Sequence, residues 1–164
     1  MTIERIQPGS GQESVWDYPR PPRLEECAEK IKVVADGTII AESNQTRRVL
    51  ETSHPPVYFI PCEDIRMECL EPTLRRTACE WKGEARYFNV VVEDRRIRNA
   101  AWVYPSPTPA FAAIRDHMAF YPELMDACFV GEEQVQSQAG GFYGGWITSR
   151  IVGPFKGEPG TRGW

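Results

Sequence analysis

Apolar residues in this chain recur chiefly at every second position, the spacing of strands with one buried face. In IKVVADGTIIAES two β-branched runs flank Asp36-Gly37, a pair suited to the positive φ angles of a two-residue hairpin turn. Val57 to Ile60 reads as another strand. Further on, TACEWKGEARYFNVVVEDRRIRNAAWVYP divides into a strand, a turn at Lys82-Gly83, a strand from Ala85 to Val92, a turn near Glu93-Asp94 and a strand from Ile97 to Tyr104. An antiparallel meander joins such neighbours most simply. Trp146 to Val152 alternates as well and supplies one more short strand.

Helical signals are fewer. Ser43 is placed to cap a short helical stretch through Arg47 and Leu50, which His54-Pro55-Pro56 would end. Pro61, followed by Glu63 and Asp64 in the first turn, reads as one helical turn. The one main α-helix starts at Thr108-Pro109, because Phe111, Ile114, Met118 and Tyr121 recur at helical spacing. The expectation is a mainly β fold with that helix and short helical turns.

Composition changes along the chain and suggests three parts. Residues 1–28 carry SVWDYPRPPR and form an extended Pro-rich arm, with Trp16 and Tyr18 docked on the domain. Residues 29–130 form the core β domain, and 131–164 a Gly- and aromatic-rich extension. At 164 residues one domain with a proper core is expected.

Charge and cysteine usage narrow the function classes. Lys and Arg number 19 against 23 Asp and Glu, so nothing draws the chain generally to nucleic acid or to anionic lipid. The pairs Arg47-Arg48, Arg75-Arg76 and Arg95-Arg96 lie near acids and read as a solvated, salt-bridged face. Five cysteines, without a Cys-x-x-Cys pair, suit reduced thiols in a cytoplasmic protein. No stretch has the apolar length of a membrane span, and the start lacks a signal-peptide core.

The candidate chemistry is sparse. Two His and scattered Cys do not form a structural zinc set, so no metal is expected, and His54 and His117 read as structural. The phosphate-cradling Gly-x-x-x-x-Gly-Lys-Ser/Thr pattern is absent, and no Asp-x-Asp pair offers converging carboxylates for magnesium. Strand alternation puts Thr77, Cys79 and Trp81 on one face, leaving Cys79 either a buried thiol or a nucleophile. It also sets Tyr58 with Ile60 and Trp102 with Tyr104, aromatics able to wall a small-molecule pocket.

The ordered strings VWDYPRPPRLE, ADGTIIAES, VLETSHPPVYFIPCEDI, TACEWKGEARYFNV and NAAWVYPSP resemble the family called domain of unknown function 427. That resemblance implies a β-tent-like pair of antiparallel sheets and carries a nucleotidyltransferase label. Its motifs fall on Glu51, Pro56, Tyr58, Pro61, Asp64, Thr77, Cys79, Lys82, Gly83, Tyr87, Trp102, Tyr104 and Pro105, with the C-terminal extension belonging to one branch. The leading expectation is a pocket for a small polar or anionic metabolite where the two sheets diverge. Glu51 and Asp64 would be acceptors or bases, Cys79 a nucleophile, Lys82 a cation, and Tyr58, Tyr87, Trp102 and Tyr104 the walls. Two alternatives are an interaction module built on the aromatic arm and tail, homo-oligomeric or with another partner, and the nucleotidyl transfer of the label. No cofactor is named by the sequence.

Overall fold

The structure is a computed structural model and describes residues 3–164. Its strands are β1 (Glu13–Ser14), β2 (Arg23–Cys27), β3 (Ile31–Ala35), β4 (Thr38–Ser43), β5 (Thr46–Leu50), β6 (Val57–Pro61), β7 (Leu70–Cys79), β8 (Gly83–Val92), β9 (Arg95–Val103), β10 (His117–Phe120), β11 (Ala127–Val130), β12 (Glu133–Gln134), β13 (Gln136–Ser137), β14 (Trp146–Ile147) and β15 (Ile151–Val152). The fold is mainly β. A seven-stranded sheet runs β2-β5-β6-β10-β9-β8-β7 and a four-stranded sheet runs β12-β11-β3-β4, every pairing antiparallel. Two small ribbons complete it: β13 antiparallel to β14, and β1 parallel to β15.

The hairpin β3-β4 forms as the sequence predicts, with Asp36 at φ 47° and Gly37 at φ 74°. Three other expectations need correction. The stretch after Ser43 is strand β5, not a helix. Ser43 Oγ does accept the Gln45 N–H, at 3.0 Å, but this makes a local turn. Pairing decides the rest: Arg47 and Arg48 sit opposite Glu26 and Glu25, while Val49 and Leu50 are buried.

The main α-helix is also absent. Pro109–Ile114 forms 3-10 turns, Asp116 takes φ 61° and turns the chain, and the rest becomes β10. Phe111, Ile114, Met118 and Tyr121 are all buried, so the pattern marks burial while misreading its period. β10 lies in the middle of the large sheet with both faces covered. Its continuous apolar run cannot be told from a buried helix by periodicity, and Pro122 favours an extended Tyr121. The alternating stretch from Trp146 to Val152 is two strands in different ribbons, broken by a turn in which the Ile151 N–H donates to the Thr148 carbonyl at 3.3 Å.

Each face of the large sheet carries a buried cluster over its central strands, while the edge strands β2 and β7 are half-buried or exposed. One face looks onto the four-stranded sheet, where Tyr58, Ile60, Val90, Met118 and Phe120 meet Ile31, Val33 and Ile40. The other carries Val49, Phe59, Tyr87, Trp102, Tyr104, Ala119 and Tyr121, covered in part by Phe111 and Ile114. Alternation sorts the two: on β10, Met118 and Phe120 go one way and Ala119 the other. A smaller cluster of Val15, Tyr18, Leu50 and Ile151 joins the two ends of the chain. Among the described residues no helix is long and apolar enough to cross a membrane.

Candidate functional site

On the face of the large sheet turned away from the four-stranded sheet, the side chains leave a hollow of about 260 Å³. Its floor is Trp102 on β9, Tyr104 just beyond it, Tyr87 on β8 and Tyr121 after β10. Thr77 and Cys79 of β7 and the turn residues Trp81 and Lys82 form one side. Glu51, His54 and Pro55, between β5 and β6, form another, and Phe142, Tyr143 and Lys156 close it from the C-terminal segment. Clefts of about 460 and 470 Å³ elsewhere are roomier but follow charged edges around β2 and offer no aromatic wall.

The floor is tightly built. Trp102 and Tyr121 have ring centroids 4.5 Å apart, and Phe59 supports Trp102 edge-on at 6.4 Å. The Tyr87 and Thr77 hydroxyls lie 3.0 Å apart. Burial pushes the Tyr104 and Tyr121 phenols well above the usual range, with Tyr87 reinforcing the effect on Tyr121. These hydroxyls therefore stay protonated at neutral pH, and the Tyr121 O–H donates to the Phe142 carbonyl at 2.9 Å.

The rim carries the charge. Glu51 pairs with Arg20 at 3.3 Å and lies 3.8 Å from His54 Nδ1. That nitrogen is 3.0 Å from the Thr52 carbonyl, which can only accept, so Nδ1 holds the proton and Nε2 keeps its lone pair. Burial holds His54 below the usual histidine range, and Lys156 and Arg20 add to this against the opposing pull of Glu51. The Lys82 ammonium lies 5.7 Å from the Tyr104 ring centre and 6.0 Å from that of Phe111, while Lys156 lies 5.5 Å from that of Tyr143. Among the described residues neither lysine has a carboxylate within 4.0 Å.

Of the residues singled out from sequence, Glu51, Cys79, Lys82, Tyr87, Trp102 and Tyr104 share this hollow. Tyr58 and Asp64 do not. Tyr58 points into the core between the sheets, 4.9 Å from the Trp146 ring, and burial pushes its phenol up to about 12. Asp64 accepts from Ser43 Oγ at 2.5 Å in the turn beside β4. The hollow itself is not where the sheets diverge, because that space is filled with apolar side chains. Sequence reasoning missed His54, Tyr121, Tyr143 and Lys156 as wall residues. For His54 the signal was its position three residues after Glu51; the others are placed by contacts distant along the chain. No group of three or more His, Cys, Asp and Glu side chains among the described residues is arranged to hold a metal ion.

Comparison with curated proteins gives no match. The sequence profile of the family described as Domain of unknown function (DUF427), labelled NTP_transf_9, matches residues 23–131. That span holds β2 to β11 and the whole floor of the hollow, whereas Phe142, Tyr143 and Lys156 lie beyond it. With about two thirds of its length matched, the chain belongs to the DUF427 family.

Proposed function

We propose that the hollow binds a small polar or anionic metabolite. The observation that carries this reading is one concave site in which an aromatic floor meets a lysine, Lys82, that has no acidic partner among the described residues. Small-molecule sites combine apolar walls with a few convergent polar groups, and Lys82, the Thr77–Tyr87 hydroxyl pair and His54 Nε2 supply those groups. Should chemistry follow binding, Cys79 is the nucleophile within reach and His54 or Glu51 the base. The nucleotidyl-transfer reading rests on the family label alone.

A thermal-shift screen tests this with small carboxylates and phosphates, each beside its neutral amide or alcohol, on wild type and Lys82→Ala. A ligand at about 100 times its Kd stabilises the folded state by about 2.7 kcal/mol, an easily read shift. Anions are expected to raise Tm in wild type and less in the variant. Equal shifts would remove Lys82 from the site, and no shift from any compound, charged or neutral, would end the proposal. Glu51→Gln run alongside decides whether Glu51 touches the ligand.

A further inference from the structure

Resting on that binding reading, we infer that the segment after residue 131 completes the site, with Tyr143 and Lys156 closing the hollow over a flat aromatic carboxylate. Three observations lead there. The cavity of about 260 Å³ falls below the roughly 300–1,000 Å³ of typical ligand sites, so it admits a molecule of one or two rings. Its floor is aromatic, which favours a planar partner. Its charged lining consists of Lys82, Lys156, Glu51 and Glu80; Arg20 neutralises Glu51, and Glu80 is exposed at the rim. With Glu51 neutralised, two lysines against Glu80 leave about one net positive charge among the described lining residues, which matches a singly charged carboxylate better than a phosphate monoester carrying nearly two.

The closing segment is held over the floor by specific contacts. Gly144, at φ 74°, lies so close to Trp102 that a Cβ there would come within 2.5 Å of the indole. The Phe142 carbonyl takes the Tyr121 hydroxyl, and the Tyr143 ring meets the His54 ring at 5.2 Å, nearly perpendicular. Gln138, only 2 % exposed, ties the segment together: its Oε1 accepts from the Gly145 N–H at 3.1 Å and its Nε2 donates to the Lys156 carbonyl at 2.7 Å. The Lys156 N–H donates in turn to the Ser53 carbonyl at 2.9 Å, which fixes this lysine beside His54. The ligand preference of this chain is therefore written partly outside the span shared with its family.

Calorimetric titration of the full chain with 2-naphthoate, neutral 2-naphthamide and phenyl phosphate tests the inference, on wild type, Lys156→Met, Tyr143→Ala and Lys82→Met. Naphthoate is expected to bind wild type at least about tenfold more tightly than the amide, and Lys156→Met to remove about that factor while leaving amide binding unchanged. Tyr143→Ala should weaken both. If Lys82→Met weakens naphthoate and neither Lys156→Met nor Tyr143→Ala does, the pocket stands and the role of the extension is overturned. If no compound binds wild type, the binding reading itself fails. Phenyl phosphate binding more tightly than naphthoate would overturn the carboxylate assignment. Unchanged circular dichroism for Lys156→Met, whose contacts to Gln138 and Ser53 run through its backbone, separates lost binding from lost folding.

Discussion

His54 shows how one ring can report on the site. It sits at the rim with Nδ1 turned to the Thr52 carbonyl, and burial makes it give up its proton below the ordinary value of 6.5. In the unfolded chain the same ring takes up a proton as pH falls through 6.5; in the folded chain it does so only at lower pH. The unfolded state thus binds more protons in the window just below 6.5, and stability must fall with pH there, being fully present above it. The melting temperature of wild type is expected to drop more steeply across that window than that of His54→Gln. Glu13, Glu71 and Asp126, all held below the usual carboxylate range, lose their contributions at lower pH and equally in both proteins. Parallel curves would mean that His54 titrates as a free histidine does. A neutral His54 at pH 7 also keeps the Nε2 lone pair available to a ligand proton.

Among the elements, β14 binds the extension most firmly to the body. Trp146 is 1 % exposed, packs on Tyr58, donates its indole N–H to the Phe120 carbonyl at 3.2 Å and its backbone N–H to the Pro56 carbonyl at 2.8 Å. Truncation to alanine opens a large void beside Tyr58 and leaves the Phe120 carbonyl without the indole donor, while the backbone bond to Pro56 stays, so Trp146→Ala is expected to cost about 3–5 kcal/mol in urea unfolding. A loss below about 1 kcal/mol would show that β14 is a loose attachment. The same element shows what the sequence could tell. Its alternation was legible, yet its length was not, because the break at Thr148 is a turn with no Gly or Pro to mark it. The β3-β4 hairpin was legible because Asp36-Gly37 admits the turn directly. Parity on β9 set Trp102 with Tyr104 and so found the floor. Parity on β6 misled for Tyr58, since Val57 and Phe59 are as apolar as Tyr58 and Ile60 and nothing local says which face looks into the hollow.

At the scale of the whole molecule, the two ends of the chain hold one another. β1 pairs with β15, the Ile6 N–H donates to the Gly153 carbonyl at 3.0 Å, and the Trp16 indole N–H donates to the Pro154 carbonyl at 2.9 Å. Trp16 also contacts residues near both termini, with the Arg5 guanidinium 5.4 Å from its ring centre and Trp164 edge-on at 5.3 Å. Around them Arg48 bridges Glu13 and Glu25, and the Tyr18 hydroxyl donates to Glu13 at 2.7 Å. Residues more than a hundred positions apart thus form one cooperative patch, and local opening of either end should release the other. Trp16→Ala is expected to make the bonds after Arg5 and after Lys156 cleavable by trypsin together and several times faster than in wild type. Trp16→Phe keeps a ring but loses the N–H, so it should fall between the two. Cleavage that quickens at Arg5 alone would show instead that the C-terminal segment is held by Gln138, Ser53 and the floor of the hollow, independent of the N-terminal arm.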